Sequence, residues 1–242
     1  MNSESRTFIN TLGERAVAIC TDGDNTAWAK NAAEYGIGLQ YIKRALRRFE
    51  LKTAFHGIKG YFEVKGAVSS NSEMDCDSTK GLEIFYSKLQ SVGIGKREEM
   101  ESMAKTYISK HIIWSSWSII NSFENRFFIS CNGSCVARAA NSIFNFKDYA
   151  SNIDLFNSDD LIIGLKANIL DGETKAKCLF DMFANKEIPL KKTIYIGDCR
   201  TDIPALKMVG FPIASPFATA EVKAIAHYVL EDKTIVNINI RR

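Results

Sequence analysis

Apolar residues fall into two kinds of pattern along the chain, and the kind changes twice. Near the start, Ala16-Val17-Ala18-Ile19-Cys20 is a short unbroken apolar run, which predicts a strand over about 15–21 of the sort buried on both faces of a sheet. From there to about residue 125 the spacing is mostly helical. Ile37, Ile42, Leu46 and Phe49 recur along one side, with Lys43, Arg44, Arg47 and Arg48 on the other. Leu82, Phe85, Tyr86 and Leu89 repeat the pattern, and Met100, Met103, Ala104, Tyr107 and Ile108 do so again. After residue 126 the short runs return. Phe127-Phe128-Ile129 ends at Ser130 and leads into a helix expected over about 134–145; Ile194-Tyr195-Ile196 ends at Gly197-Asp198 and is followed by a helix from Pro204 to Val209.

Strands alternating with helices predict an α/β fold, a Rossmann-like parallel sheet with right-handed crossovers. The expected organisation is a core formed by residues 1–26 and 126–242, with a mainly helical cap, 27–125, inserted between its two parts.

Composition narrows the function classes. With 242 residues, 46% hydrophobic and 24% charged, the chain has enough apolar material for one full domain and a smaller one. Its 31 basic and 28 acidic residues leave a net charge of +3, too dilute for the basic stripe a nucleic-acid partner requires. Met1-Asn2-Ser3-Glu4-Ser5-Arg6 has no apolar signal-peptide core, and no stretch reaches the ~18 apolar residues of a spanning helix, so no membrane attachment is expected. The six cysteines form no CxxC pair and read as reduced thiols in a cytoplasmic protein rather than as a zinc site or a disulfide framework. Oligomeric state is left open.

The chemistry concentrates at the ends of the apolar runs. Asp22-Gly23-Asp24-Asn25-Thr26 follows the first run after a single residue, Thr21, and in an open parallel sheet ligands bind outside the carboxyl ends of the strands. Two carboxylates two residues apart repel unless a cation or a shared proton separates them. Hard oxygen donors of this kind suit Mg2+, which completes its shell with water and substrate phosphate oxygens. The chain contains a second DxDxT, Asp75-Cys76-Asp77-Ser78-Thr79, but polar Ser69-Ser70-Asn71-Ser72-Glu73 precedes it; it reads as a loop or helix start with Asp77 or Ser78 as N-cap. Ser130, Lys175 after Asp171-Gly172-Glu173-Thr174, and Gly197-Asp198-Cys199-Arg200-Thr201-Asp202 complete the set. A hydroxyl and an ammonium can hold phosphoryl oxygens, and Asp198 adds a second carboxylate for a metal.

In this order, aspartate pair, serine, lysine, GDxxxD, the sequence resembles the haloacid dehalogenase superfamily of phosphohydrolases, and within it the phosphoserine phosphatase branch, which carries a helical cap between its first two motifs. Asn152-Ile153-Asp154-Leu155 and Thr201-Asp202-Ile203-Pro204-Ala205-Leu206 look like that branch too. The motifs correspond to Asp22 through Thr26, Ser130, Lys175, and Gly197-Asp198 with Asp202, with 45 residues from Ser130 to Lys175 and 23 from Lys175 to Asp198. Four positions depart from the branch: Gly23 and Asn25 stand where it commonly has an aromatic or small residue and a serine. Its cap-side glutamate has only Asn31 nearby and Glu34 further on, and the second motif reads Ser130-Cys131-Asn132-Gly133 rather than Ser-Gly-Gly.

The resemblance implies a Mg2+-dependent phosphatase acting on a small phosphorylated metabolite through an aspartyl-phosphate. Asp22 would be the nucleophile and Asp24 the acid and then the base. Asp22, Asp24 through its backbone carbonyl, and Asp198 would hold the metal. Ser130, Lys175 and amides near Gly23 would bind the phosphoryl group, and Asp202 would orient Lys175 or a metal-bound water. Asp24 argues against halide release, which needs no acid. A phosphotransferase or phosphomutase, and a non-catalytic relative that binds a phosphorylated ligand or a protein, are the alternatives.

Overall fold

A computed structural model describes residues 15–29, 33–69 and 78–238. At its centre are six parallel strands: β1 (Ala18–Thr21), β3 (Arg126–Ile129), β4 (Asp148–Ala150), β7 (Thr193–Gly197), β8 (Phe211–Ala214) and β9 (Tyr228–Val229). They lie in the order β4-β3-β1-β7-β8-β9. Because β1 is flanked by β3 and β7, Thr21 is level with Phe128 on one side and Ile196 on the other. Residues just beyond these three positions therefore emerge along one edge of the sheet.

Alternation of side chains along each strand builds a core on both faces. Ile19, Phe128, Ile194 and Ile213 point into one cluster, shared with α6 (Ser134–Phe144). Ala18, Cys20, Phe127, Ile129 and Tyr195 point into the other, against Leu179 and Phe183 of α7 (Gly172–Ala184) and Leu206 of α8 (Ile203–Met208). A further helix, α9 (Ala220–Ile225), contributes Val222 to that second cluster.

Among the described residues five helices lie between β1 and β3, the first four being α1 (Ala33–Arg47), α2 (Leu51–Ser69), α3 (Ser78–Ser91) and α4 (Arg97–Ser109). α1 packs on α2 and α2 on α3, while α4 packs on α1 and also lies along α6. Ile37, Tyr86, Met100 and Ile108 of these helices belong to the same apolar cluster as Phe128 and Ile194 of the sheet, so the helical region shares a core with the domain beneath it. After α4, β2 (Ile112–Ile113) pairs antiparallel with β10 (Ile235–Val236), and α5 (Trp114–Ser122) packs against β1.

Two sequence expectations change. The buried face of α1 is Ala33, Glu34, Gly36, Ile37, Tyr41 and Ala45, whereas Leu46 is 46% and Phe49 86% exposed. Phe49 lies past the helix end at φ +57, and the close face is set by Gly36, where a Cβ would come within 2.1 Å of the Tyr107 ring. The second change is an antiparallel hairpin, β5 (Ile153–Phe156) with β6 (Ile162–Lys166), standing apart from the parallel sheet and packing on α3. Of the second DxDxT, Asp75 to Asp77 lie outside the described residues, and α3 begins at Ser78.

Candidate active site

Asp22 is the first residue beyond β1, and its amide donates to Ile196 O at 3.0 Å. The next residues turn sharply: Gly23 O accepts from the amides of Thr26, Ala27 and Trp28. Gly23 is required by the Trp28 indole, whose ring atoms would lie 2.7 Å from a Cβ there. The glycine between the two aspartates and the tryptophan four residues after the second are thus one packing solution.

Lys175 reaches the site from the first turn of α7. Asp171 caps this helix by accepting from Thr174 N at 2.8 Å, and Gly172 admits the Pro204 ring, which would be 2.9 Å from a Cβ. The lysine is only 1% exposed, with Nζ 2.9 Å from Asp22 Oδ1 and 2.6 Å from Asp202 Oδ1. Burial alone would lower its pKa, but Asp202 and then Asp22 more than offset this and hold it well above the ordinary lysine value. Asp202 is fully satisfied: Tyr195 donates its hydroxyl to Oδ1 at 2.8 Å, and the Asp198 and Cys199 amides donate to Oδ2 at 2.9 and 3.3 Å.

Asp198 follows β7 and receives the Thr26 hydroxyl at 3.3 Å. Burial raises its pKa well above the usual carboxylate range, with Asp202 and Asp22 adding to the effect. Burial likewise pushes Asp22 up to about 6, against the pull of Lys175. Among the described residues, no donor other than the Lys175 ammonium reaches the buried Asp22 Oδ1.

These features test whether the residues suit a hard divalent cation. Asp198, Cys199 and Asp202 form a compact group of possible ligand atoms, but Asp202 is committed to four donors and a soft thiol does not suit Mg2+. Asp22 and Asp198 remain, two buried carboxylates of raised proton affinity with lone pairs to spare. That donor chemistry fits Mg2+.

Asp24 looks toward the cap. Its Oδ1 accepts from Trp28 Nε1 at 2.6 Å and Ala33 N at 3.1 Å, and its Oδ2 from Asn132 Nδ2 at 2.8 Å. Burial and then the nearby Glu34 raise its pKa well above the ordinary value, opposed by the Asn132 bond. Ser130, just past β3, is buried and donates its hydroxyl to Asn132 Oδ1.

The structure thus gathers Asp22, Lys175, Asp198 and Asp202 around one strand end, with Asp24 and Ser130 joined through Asn132 beside them. The sequence pattern alone assigns no role to Glu34, Asn132, Trp28 or Tyr195. Glu34 is buried at the start of α1, accepting from Asn132 Nδ2 at 2.9 Å and Gly133 N at 3.1 Å, and burial pushes it up to about 7. An acidic residue on the buried face of an apolar helix is a signal for it. A second cap contact lies nearby, where Tyr86 donates to Asp154 Oδ1 at 2.7 Å and Asp154 Oδ2 accepts from Cys135 N at 2.6 Å.

The profile of a haloacid dehalogenase-like hydrolase family matches residues 146–235, a span that includes Lys175, Asp198 and Asp202. Curated proteins give no match. Among solved structures, a substrate-bound phosphoserine phosphatase complex is 16% identical over 90% of this chain and 94% of its own, with a TM-score of 0.67. A phospho-aspartyl intermediate analogue of phosphoserine phosphatase is 17% identical over 90% and 95%, also at 0.67. A probable phosphoserine phosphatase from Vibrio cholerae is 15% identical over 98% of this chain and 70% of its own, at 0.62. At these identities the likeness is one of fold. No helix among the described residues is long and apolar enough to cross a membrane.

Proposed function

We propose that the chain is a member of the haloacid dehalogenase superfamily and, from that premise, a Mg2+-dependent phosphomonoesterase acting on a small phosphorylated metabolite. The observation that carries this reading is Asp22 at the end of the central strand, 2.9 Å from a buried lysine that Asp202 holds in place. An unprotonated carboxylate oxygen and a fixed cation at one point are what in-line attack on a phosphoryl group requires.

A carboxylate oxygen of Asp22 attacks phosphorus, the bond from phosphorus to the substrate oxygen breaks, and the alcohol departs with a proton from Asp24. Water then attacks the phosphorus of the aspartyl-phosphate and gives a proton to Asp24. The Asp22 carboxylate is restored and inorganic phosphate leaves. Lys175 and the backbone amides at Gly23 hold the phosphoryl oxygens, joined by the Ser130 hydroxyl once it turns from Asn132 Oδ1 toward the substrate, and Asp202 keeps Lys175 aimed at them. The carboxylates of Asp22 and Asp198 and the carbonyl of Asp24 would hold Mg2+, which would supply positive charge to offset that on the transferred group.

A phosphoserine-like substrate is in keeping with the fold neighbours that are phosphoserine phosphatases. Cys20, Cys135 and Cys178 are free thiols, in keeping with a cytoplasmic enzyme. The test is a panel of phosphoserine, phosphosugars, phosphoglycolate and nucleotides, with and without Mg2+. Metal-dependent release of phosphate from at least one is expected; release from none overturns the reading.

A further inference from the structure

Asn132 has no part in the mechanism above, yet it touches three of the groups around it. Its Nδ2 donates to Asp24 Oδ2 at 2.8 Å and to Glu34 Oε2 at 2.9 Å, while its Oδ1 accepts the Ser130 hydroxyl. Those neighbours fix which way the amide points. Turned over, it would set its oxygen against two carboxylates. The residue is buried, and its backbone is pinned on both sides: Asn132 O accepts from Asn152 N at 3.0 Å, and the next amide, Gly133 N, donates to Glu34 Oε1 at 3.1 Å.

The two oxygens of Asp24 are not equivalent. Oδ1 takes two groups that can only donate, the Trp28 indole and the Ala33 amide. Oδ2 takes one, Asn132, and so keeps a lone pair for a proton passing to or from a substrate oxygen. Glu34 stands in the first turn of α1, a cap helix, while Asp24 lies in the core loop. A single nitrogen therefore bonds a cap carboxylate and the core carboxylate that handles the proton.

We propose that Asn132 is a positioning residue for proton transfer: anchored by Glu34 of the seated cap, its amide nitrogen turns Asp24 Oδ2 toward the leaving alcohol. The proposal rests on the phosphomonoesterase reading. It requires that losing the amide matter in proportion to how much the leaving group needs an acid. An alkyl phosphate expels a poor alkoxide and needs Asp24, whereas a nitrophenyl phosphate expels a stable phenolate and needs it little.

The experiment compares kcat/KM for O-phosphoserine or another alkyl phosphate that the wild-type enzyme hydrolyses with kcat/KM for p-nitrophenyl phosphate, in Asn132→Ala and in the similarly sized Asn132→Leu, which cannot donate. Circular dichroism and thermal melting identify which variant is folded, so that one can stand in for the other. The expected result is a loss of about 30-fold or more on the alkyl ester and about 3-fold or less on the aryl ester. In Asn132→Ala with Glu34→Ala the alkyl loss should fall short of the product of the single losses, because both act through one bond chain. Equal losses on the two esters, or no loss in a folded variant, overturn the role of Asn132 while the wild-type activity upholds the phosphomonoesterase reading. A wild-type protein inactive on both esters overturns that reading, and this inference with it.

Discussion

The two halves of the site solve the problem of buried negative charge differently. Around Asp22, the acids face a buried lysine, and Asp202 is matched by donors on both oxygens. Around Asp24, two carboxylates share a neutral amide, and among the described residues no lysine or arginine pairs with Asp24 or Glu34. The first half is built by the strand ends and α7, and its one lysine offsets only part of the charge of Asp22, Asp198 and Asp202. The second joins the loop after β1 to the start of α1, and its balance depends on α1 being seated there. In the proposed mechanism, charge stabilisation belongs to the sheet end, and proton handling to its boundary with α1.

Removing the cation should have the largest effect on stability. Lys175→Met leaves Asp22 and Asp202 buried without their partner, and a loss of about 3–5 kcal/mol in urea unfolding is expected. A loss under about 1 kcal/mol would show that the first half is not held by charge in this way.

The uncompensated acids predict a pH effect of opposite sign to ordinary acid denaturation. Asp22 and Glu34 are raised to about 6 and about 7 in the folded state, so the native protein binds more protons than the unfolded chain. The metal-free protein should lose stability as pH rises from about 4 to about 7, by on the order of 1–3 kcal/mol, and then level off. Glu34→Gln should flatten the upper part of that decline, and Mg2+ should raise the melting temperature more at about pH 8 than at about pH 5. A metal-free melting temperature that climbs through this window contradicts the assignment.

A surface pair on the cap provides the smallest effect and the reference for the others. Arg44 and Glu99 meet at 2.7 Å with both side chains about a third exposed. Arg44→Ala should cost roughly 0.2–1 kcal/mol in thermal unfolding; a larger loss would mean that this cap contact is not an ordinary surface pair.

The same contrast decides what is legible in the sequence. Asp22 and Asp198 sit one residue past short apolar runs, and Ser130 does the same, so the ends of those runs already point to one shared edge of the sheet. Lys175 follows a capping signal, though its burial does not follow from the helix pattern. Glu34 and Asn132 carry no such mark. Glu34 becomes part of the site only through the packing of α1 on α4 and the approach of Asn132 and Gly133 to its carboxylate, and Asn132 departs from the Ser-Gly-Gly pattern in a way whose use depends on that acid. Leu46 and Phe49 show the converse failure: helical spacing puts them on the apolar side, but small residues at Ala33, Gly36 and Ala45 allow a closer helix contact on another face. The two-residue strands β2 and β10 are too short to leave a periodic signal.

Everything proposed for the site turns on Asp22 accepting the phosphoryl group. Rapid acid quenching of the enzyme with a turned-over phosphate ester and Mg2+, followed by mass spectrometry of the peptide containing Asp22, reads this step. That peptide should gain one phosphoryl group in wild-type protein and none in Asp22→Asn, and turnover should fall about 1000-fold or more in the same variant. Turnover that persists in Asp22→Asn, or a phosphoryl group trapped on another residue, would contradict it.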